Sequence, residues 1–351
     1  MTQTLLLLPG DGIGPEVAAA AARVAQAVAP DLLIQTDLVG GIAYDTHGSP
    51  LSADTLERAK ASDAVLLGAV GGPKWADAPR DKRPEAGLLR LRKELDVFAN
   101  LRPAFCFPAL AEASSLKQDV VEGLDILIVR ELTGGVYFGQ PRGIDTDENG
   151  VRRGYETSVY TAPEIERITR VAMEIARGRS GRLTSVEKSN VMESGLFWRQ
   201  EVTAVHGREG EGVALSHMLA DACAMELVRN PKQFDVILAG NLFGDILSDA
   251  AAMLTGSIGM LPSASIGAPE TPGLFEPVHG SAPDIAGQGL ANPSAMILSL
   301  EMALRWSLGR AEAADKVRDA VARALDAGAR TRDLGGSLST EEMCNAILAE
   351  L

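Results

Sequence analysis

Short apolar runs alternate with stretches of helical period along this chain, and that rhythm narrows the available folds more than any other feature. Residues 4–8 form an apolar run closed by Pro9-Gly10-Asp11-Gly12, and Pro15 stands where it can open the Ala-rich stretch 16–28 as a helix. Residues 64–67, 126–129 and 236–239 read as further buried strands, with helical patterning between them. The pattern predicts an α/β class. Gly-rich and polar segments break the rhythm at 71–87 and 257–292, and loops of that length usually serve a function. A length of 351 residues suits two domains, and with no low-complexity linker between them the chain can leave the first domain and return to it.

Bulk chemistry excludes several functions. A net charge of -14 opposes binding to nucleic acid, whose affinity for proteins comes largely from Lys and Arg. Cys106, Cys223 and Cys344 are odd in number and in no C-x-x-C pair, which suits a reducing compartment and gives no zinc framework. The apolar run before Pro9 is too short for a signal peptide or a membrane span, so a cytoplasmic protein without membrane contact is expected.

Two glycine-rich segments invite a nucleotide reading. PGDGIGPE imitates the dinucleotide fingerprint, but Pro15 replaces its third glycine and no strand-end acid follows at the required distance, so a Rossmann site is not expected there. HGSAPDIAGQGLAN combines small residues with Asp284, a carboxylate able to accept hydrogen bonds from a ribose diol and to repel a 2′-phosphate, which favours NAD over NADP. The competing reading is an ordinary surface loop.

The acidic and basic clusters carry more chemistry. In GNLFGDILSD, Asp245 and Asp249 lie four apart in a helical pattern, one turn from each other on one face, and their oxygens are ligands that Mg²⁺ or Mn²⁺ prefers. A solvated helix face is the alternative, weakened here by apolar flanks. Asp221, read as lying on another helix with His217 one turn before it, is a third candidate carboxylate. Arg90, Arg92, Arg102 and Arg130 are a local source of cationic forks in an acidic protein, suited to a multiply charged carboxylate substrate, although any one alone could be a surface ion pair. Tyr137, in the glycine-rich RELTGGVYFG, and Lys188, after an apolar run, are a candidate acid and base.

Taken in order, PGDGIGPE, GAVGGPKW, RPEAGLLRLRK, FANLRP, VRELTGGVYFG, GNLFGDILSD and HGSAPDIAG resemble the β-decarboxylating dehydrogenases, a family whose members act on 3-isopropylmalate, isocitrate, homoisocitrate or tartrate. The match runs nearly end to end and is strongest toward the bacterial 3-isopropylmalate branch. It implies an isopropylmalate dehydrogenase-like two-domain fold, not a Rossmann fold, with a large mixed sheet flanked by helices. Residues 1–99 plus 251–351 would form the first domain, with the cofactor loops and both termini, and 100–250 the second, with metal and dimer contacts. The implied activity is oxidation and decarboxylation of (2R,3S)-3-isopropylmalate to 4-methyl-2-oxopentanoate and carbon dioxide in leucine biosynthesis.

The same resemblance assigns roles by position. Arg92, Arg102 and Arg130 would clamp the malate carboxylates, and Asp221, Asp245 and Asp249 would hold Mg²⁺ or Mn²⁺, with Asp221 also near the substrate. Lys188 would assist loss of the hydroxyl proton and Tyr137 would protonate the enol. NAD would lie along Ile13, Gly72, Pro73, Lys74, Glu85, Asn190, His279, Gly280, Ser281, Ala282, Pro283, Asp284, Ile285 and Asn292. Lys188 and Asp221 would reach the site from the neighbouring subunit, which implies a homodimer with shared active sites. One departure is Glu187-Lys188-Ser189-Asn190, where the family more usually has Asp-Lys-Ala-Asn. Leu88 and Leu89 would offer an isopropyl group an apolar wall, and Glu85 would disfavour the extra carboxylate of isocitrate.

Overall fold

The computed structural model describes residues 2–114 and 116–351. The chain begins β1 (Thr4–Gly10), α1 (Gly14–Val28), β2 (Leu33–Thr36), α2 (Gly41–His47), α3 (Ala53–Ala61) and β3 (Ala64–Ala69). It continues α4 (Pro84–Glu94), β4 (Ala99–Phe105), α5 (Gln118–Val121), β5 (Asp125–Glu131) and the hairpin β6 (Gly143–Thr146) and β7 (Arg152–Tyr155). Then follow α6 (Ala162–Arg177), β8 (Arg182–Glu187), α7 (Glu193–Glu209), β9 (Ala214–Leu219), α8 (Ala220–Arg229), β10 (Val236–Ala239) and α9 (Asn241–Ala252). Last come β11 (Pro262–Ile266), β12 (Gly273–Pro277), α10 (Ser294–Trp306), α11 (Ala311–Asp326) and α12 (Thr340–Ala349). By internal contacts one compact unit comprises Met1–Val97, Phe105–Gly123 and Ala252–Leu351, and the other Phe98–Ala104 and Leu124–Ala251.

In the first unit the strands run in the order β2-β1-β3-β12-β11, parallel except for the antiparallel β11–β12 pair. Helix α10 packs on β11 and β12 and against α1 and α11. Its buried side chains lie all round the helix from Ser294 to Leu304, as an interior helix requires. Strands β11 and β12 fall inside a segment expected to be loop. Pro262, Gly273 and Pro277 at their ends and Ser263 and Ser265 within them hide the apolar signal, while burial and cross-strand pairing supply the stability.

The second unit orders its strands β4-β5-β10-β8-β9, with β5, β10, β8 and β9 parallel to one another. Helix α6 carries a Thr161–Glu164 capping box and buries Ile165, Ile168, Ala172, Met173 and Ala176 along one stripe. It packs on β5, β8 and β10 beside α7. Four parallel strands thus end on one edge, where an α/β sheet characteristically presents its functional residues. Among the described residues no helix is long and apolar enough to cross a membrane.

Candidate functional site

The carboxyl edge of the second unit brings several of the candidate residues together. Arg130 is the penultimate residue of β5, and Asn241 opens α9 directly after β10. Asp245 and Asp249 follow one and two turns along α9. Arg130 donates through Nη1 to Asp245 and through Nε and Nη2 to Asn241 Oδ1 at 3.1 and 2.9 Å. Gly244 permits this approach, since a Cβ there would stand 2.6 Å from Arg130 Cγ. Arg102, within β4, donates through Nη1 to Asp249 Oδ1 at 2.8 Å and Ser248 Oγ at 2.9 Å, and stands 3.5 Å from Asp245.

Tyr137 closes a short 3-10 turn, Gly135–Tyr137, whose Gly135 has φ of 75°, a conformation that favours glycine. Its hydroxyl donates to Asp245 Oδ2 at 3.0 Å, and the Arg130 guanidinium lies 5.8 Å from its ring centre. Burial first, and then the Asp245 charge, push the phenol above its ordinary value and hold it protonated. Both Asp245 oxygens are therefore engaged, one by a cation and one by a neutral acid.

Lys188 and Asp221 form a separate pair 2.7 Å apart. Lys188 follows β8, where Gly195 gives its backbone room, and Asp221 sits in the first turn of α8. The Lys188 hydrogen bond is the main cause that draws Asp221 below the usual carboxylate range. Glu187 is buried, accepts from Ser189 N at 2.5 Å and faces Arg199 at 3.4 Å, so the longer acid still braces the turn that presents Lys188. Asn190 is exposed in that turn. Among the described residues of one chain no group of three His, Cys, Asp or Glu is placed to hold a metal, so Asp245 and Asp249 offer two carboxylates without a third. Their oxygens are hard donors of the kind Mg²⁺ and Mn²⁺ take, and their side chains are 31% and 64% exposed, open to a ligand. His217 lies on β9, not on a helix one turn before Asp221. The strand reads ALSHML, with no β-branched residue to mark it, and runs straight into the helix that follows.

In the first unit the glycine-rich segments meet at the N-terminus of α1. Ile13 N donates to Ser281 O at 2.9 Å, and Glu16 accepts from Gly287 N at 2.5 Å and Gly289 N at 2.9 Å. Gly12 has φ of 60°, and a Cβ on it would lie 1.9 Å from Ser281 O, so glycine is needed twice over. Ala282 holds φ of 37°, a strained conformation for a residue with a side chain, in a loop that also contains His279, Gly280, Pro283, Asp284 and Ile285. Buried Asp11 accepts from Gly41, Ile42 and Gly71 amides at 2.8–2.9 Å and so fixes the turn before Gly72 and Pro73. Lys74 pairs with Asp45 at 2.7 Å, and Gly71 faces Glu85. Asn292 is buried, donates to Asp333 at 3.0 Å and accepts from Ser294 N at 3.0 Å, so its amide braces the start of α10.

Arg92, in the last turn of α4, pairs with buried Glu276 of β12 at 2.5 Å. Its Nε is buried with no hydrogen-bond partner among the described residues. On the same helix Leu88 packs against the core while Leu89 is 54% exposed. Sequence reasoning missed Asn241, Glu16, Asp11 and Glu276. Each sits inside or beside a quoted motif, but what marks it is a partner distant in sequence.

The chain whose second unit carries paired carboxylates on one helix, arginine forks and a tyrosine at a parallel-sheet edge belongs to the isocitrate/isopropylmalate dehydrogenase family: the family model of that description matches residues 4–347. The protein is thus an oxidoreductase of the dehydrogenase type. Within the family it is 69% identical to the 3-isopropylmalate dehydrogenase of Caulobacter vibrioides over 99% of both chains. It is 58% identical to the enzyme of that name from Brucella suis, over 99% of this chain and 98% of that one. Among solved structures it resembles isocitrate dehydrogenase from Methylococcus capsulatus, with a TM-score of 0.87 and 33% identity over 99% of each chain. It also resembles a beta-decarboxylating dehydrogenase from Thermococcus kodakarensis, with a TM-score of 0.84 and 39% identity over 99% and 96%.

Proposed function

We propose that this cytoplasmic protein converts (2R,3S)-3-isopropylmalate, with NAD and Mg²⁺ or Mn²⁺, to 4-methyl-2-oxopentanoate and carbon dioxide in leucine biosynthesis. The observation that carries the reading is Asp245, set between the Arg130 fork and the Tyr137 hydroxyl with Asp249 one turn further on. Asp245 and Asp249, with Asp221, would hold the divalent ion, which would supply Lewis-acid polarisation of the hydroxy acid, while NAD would supply the hydride acceptor.

Arg102 and Arg130 hold carboxylate oxygens by bidentate contact, and Arg92 offers its unpartnered Nε to the same end. Lys188, paired with Asp221, assists loss of the hydroxyl proton as oxidation proceeds. Tyr137, kept protonated by burial, gives its proton to C3 of the enol left when carbon dioxide departs. Asp221 and Lys188 stand as one pair outside the Asp245–Asp249 cluster, which supports two copies of the chain completing each other's sites as a homodimer. The first unit carries the cofactor loops and the second the metal and dimer contacts. Asp284, exposed in the 280–292 loop, favours a ribose diol over a 2′-phosphate.

For the substrate, exposed Leu89 offers apolar surface to an isopropyl group, and burying a group of that size is worth about 1.5–3 kcal/mol. Glu85, one turn before it, opposes the third carboxylate of isocitrate. The test is a panel of 3-isopropylmalate, isocitrate, homoisocitrate, malate and tartrate with NAD and Mg²⁺: kcat/KM should be greatest for 3-isopropylmalate, and faster turnover of isocitrate would overturn the choice.

A further inference from the structure

Asn241, a buried residue, joins three parts of the second unit through its side chain and its backbone N–H. Its Oδ1 accepts both Nε and Nη2 of Arg130, at 3.1 and 2.9 Å. Its Nδ2 donates to the carbonyls of Leu132 at 3.0 Å and Gly134 at 3.2 Å, the segment that leads into the turn bearing Tyr137. Its backbone N–H, an otherwise unsatisfied first-turn amide of α9, donates to Tyr160 Oη at 2.7 Å. Tyr160 packs against Gly134, Gly135 and Gly240, each too close for a Cβ. Asp245 lies one helical turn further along, so carboxylate, arginine and tyrosine are all referred to a single amide.

We propose that Asn241 is a positioning residue for the proposed reaction: its acceptor side orients Arg130 for the substrate carboxylate, and its donor side holds the Leu132–Gly134 segment so that Tyr137 points its proton at the reacting carbon. The two sides are chemically separable. A carboxylate at this position would keep the acceptors for Arg130 and lose both side-chain donors to the loop, whereas a methyl group would lose acceptor and donors alike and leave only the backbone N–H on Tyr160.

The inference rests on the functional reading above, and the experiment distinguishes their failures. Asn241→Asp should lower kcat by at least about tenfold with a change in KM for 3-isopropylmalate of less than about threefold, and Asn241→Ala should lower kcat and raise KM together. In a Tyr137→Phe background, Asn241→Asp should cost less than about twofold more, because the two act through one proton transfer. Tyr160→Phe keeps the ring packing and removes only the hydroxyl that receives the α9 amide. It should reproduce the kcat loss in smaller degree with the same non-additivity, and it carries the test if Asn241→Asp does not fold. Additive losses with Tyr137→Phe, or an unchanged kcat in a folded variant, would overturn the role of Asn241 while wild-type turnover stands. A wild-type protein that forms no NADH from 3-isopropylmalate would sink the functional reading as well.

Discussion

Replacing Glu16 with Gln should weaken NAD binding while leaving turnover at saturating NAD almost unchanged. Each Glu16 oxygen accepts one backbone amide of the 280–292 loop, from Gly287 at 2.5 Å and Gly289 at 2.9 Å. Gln keeps one acceptor and turns an NH₂ toward the other amide, so one charge-assisted hydrogen bond is lost. Such a bond is worth about 1.5–3 kcal/mol, reduced here to about 1–2 kcal/mol because Glu16 is half-exposed. If the loop must hold this conformation to bind the cofactor, that energy appears as a roughly 5- to 30-fold rise in the NAD dissociation constant. Titration calorimetry with NAD reads it directly, with a melting curve to establish that the variant is folded. An affinity within twofold of wild type would refute the claim that Glu16 preorganises the loop.

Other consequences follow from the same geometry. Tyr137→Phe should lower kcat by about 10²- to 10⁴-fold with little change in KM, measured by steady-state kinetics. Because burial and Asp245 raise the Tyr137 pKa, the wild-type acid stays protonated past its ordinary value, and its loss should appear in kcat only as pH rises through that raised value. Burial lowers the His217 pKa below its ordinary 6.5, so the unfolded chain binds a proton that the folded one resists. Stability should therefore be full above about pH 6.5 and fall as pH drops below it, and His217→Gln should flatten the slope of melting temperature against pH. Co-folding Lys188→Ala with Asp245→Asn subunits, each inactive alone, should restore about a quarter of wild-type activity if subunits share sites, since half the dimers are mixed and each holds one intact site. No recovery would refute sharing. Gly12→Ala should destabilise the protein by about 1–3 kcal/mol, read by denaturant unfolding, because both its φ and Ser281 O exclude a Cβ.

The parts of the fold legible in the amino-acid order were those whose signal is local. Strand β10, of unbroken apolar residues, and α1, opened by Pro15 and filled with Ala, announce themselves by period alone. Asp245 and Asp249 were legible for the same reason, since helical spacing puts them on one face. Strands β11 and β12 were not, because Pro, Ser and Gly suppress the strand pattern and the pairing that stabilises them joins segments that a turn separates. His217 was assigned to the wrong element because β9 runs directly into α8 with no punctuating Gly or Pro. The network around Asn241 was hidden for a deeper reason: Arg130, Leu132, Gly134 and Tyr160 meet it across more than eighty residues of chain. The motif announced that the segment matters, and only the packing reveals which of its side chains holds the others.

In the proposed reaction, carboxylates around a divalent ion couple hydride transfer to carbon dioxide loss on a branched hydroxy acid. Following NADH and carbon dioxide together from 3-isopropylmalate, with Mg²⁺ and then with excess EDTA, tests it most directly. Equimolar NADH and carbon dioxide with Mg²⁺, and neither after chelation, is the predicted result; undiminished release of both in EDTA would contradict the account.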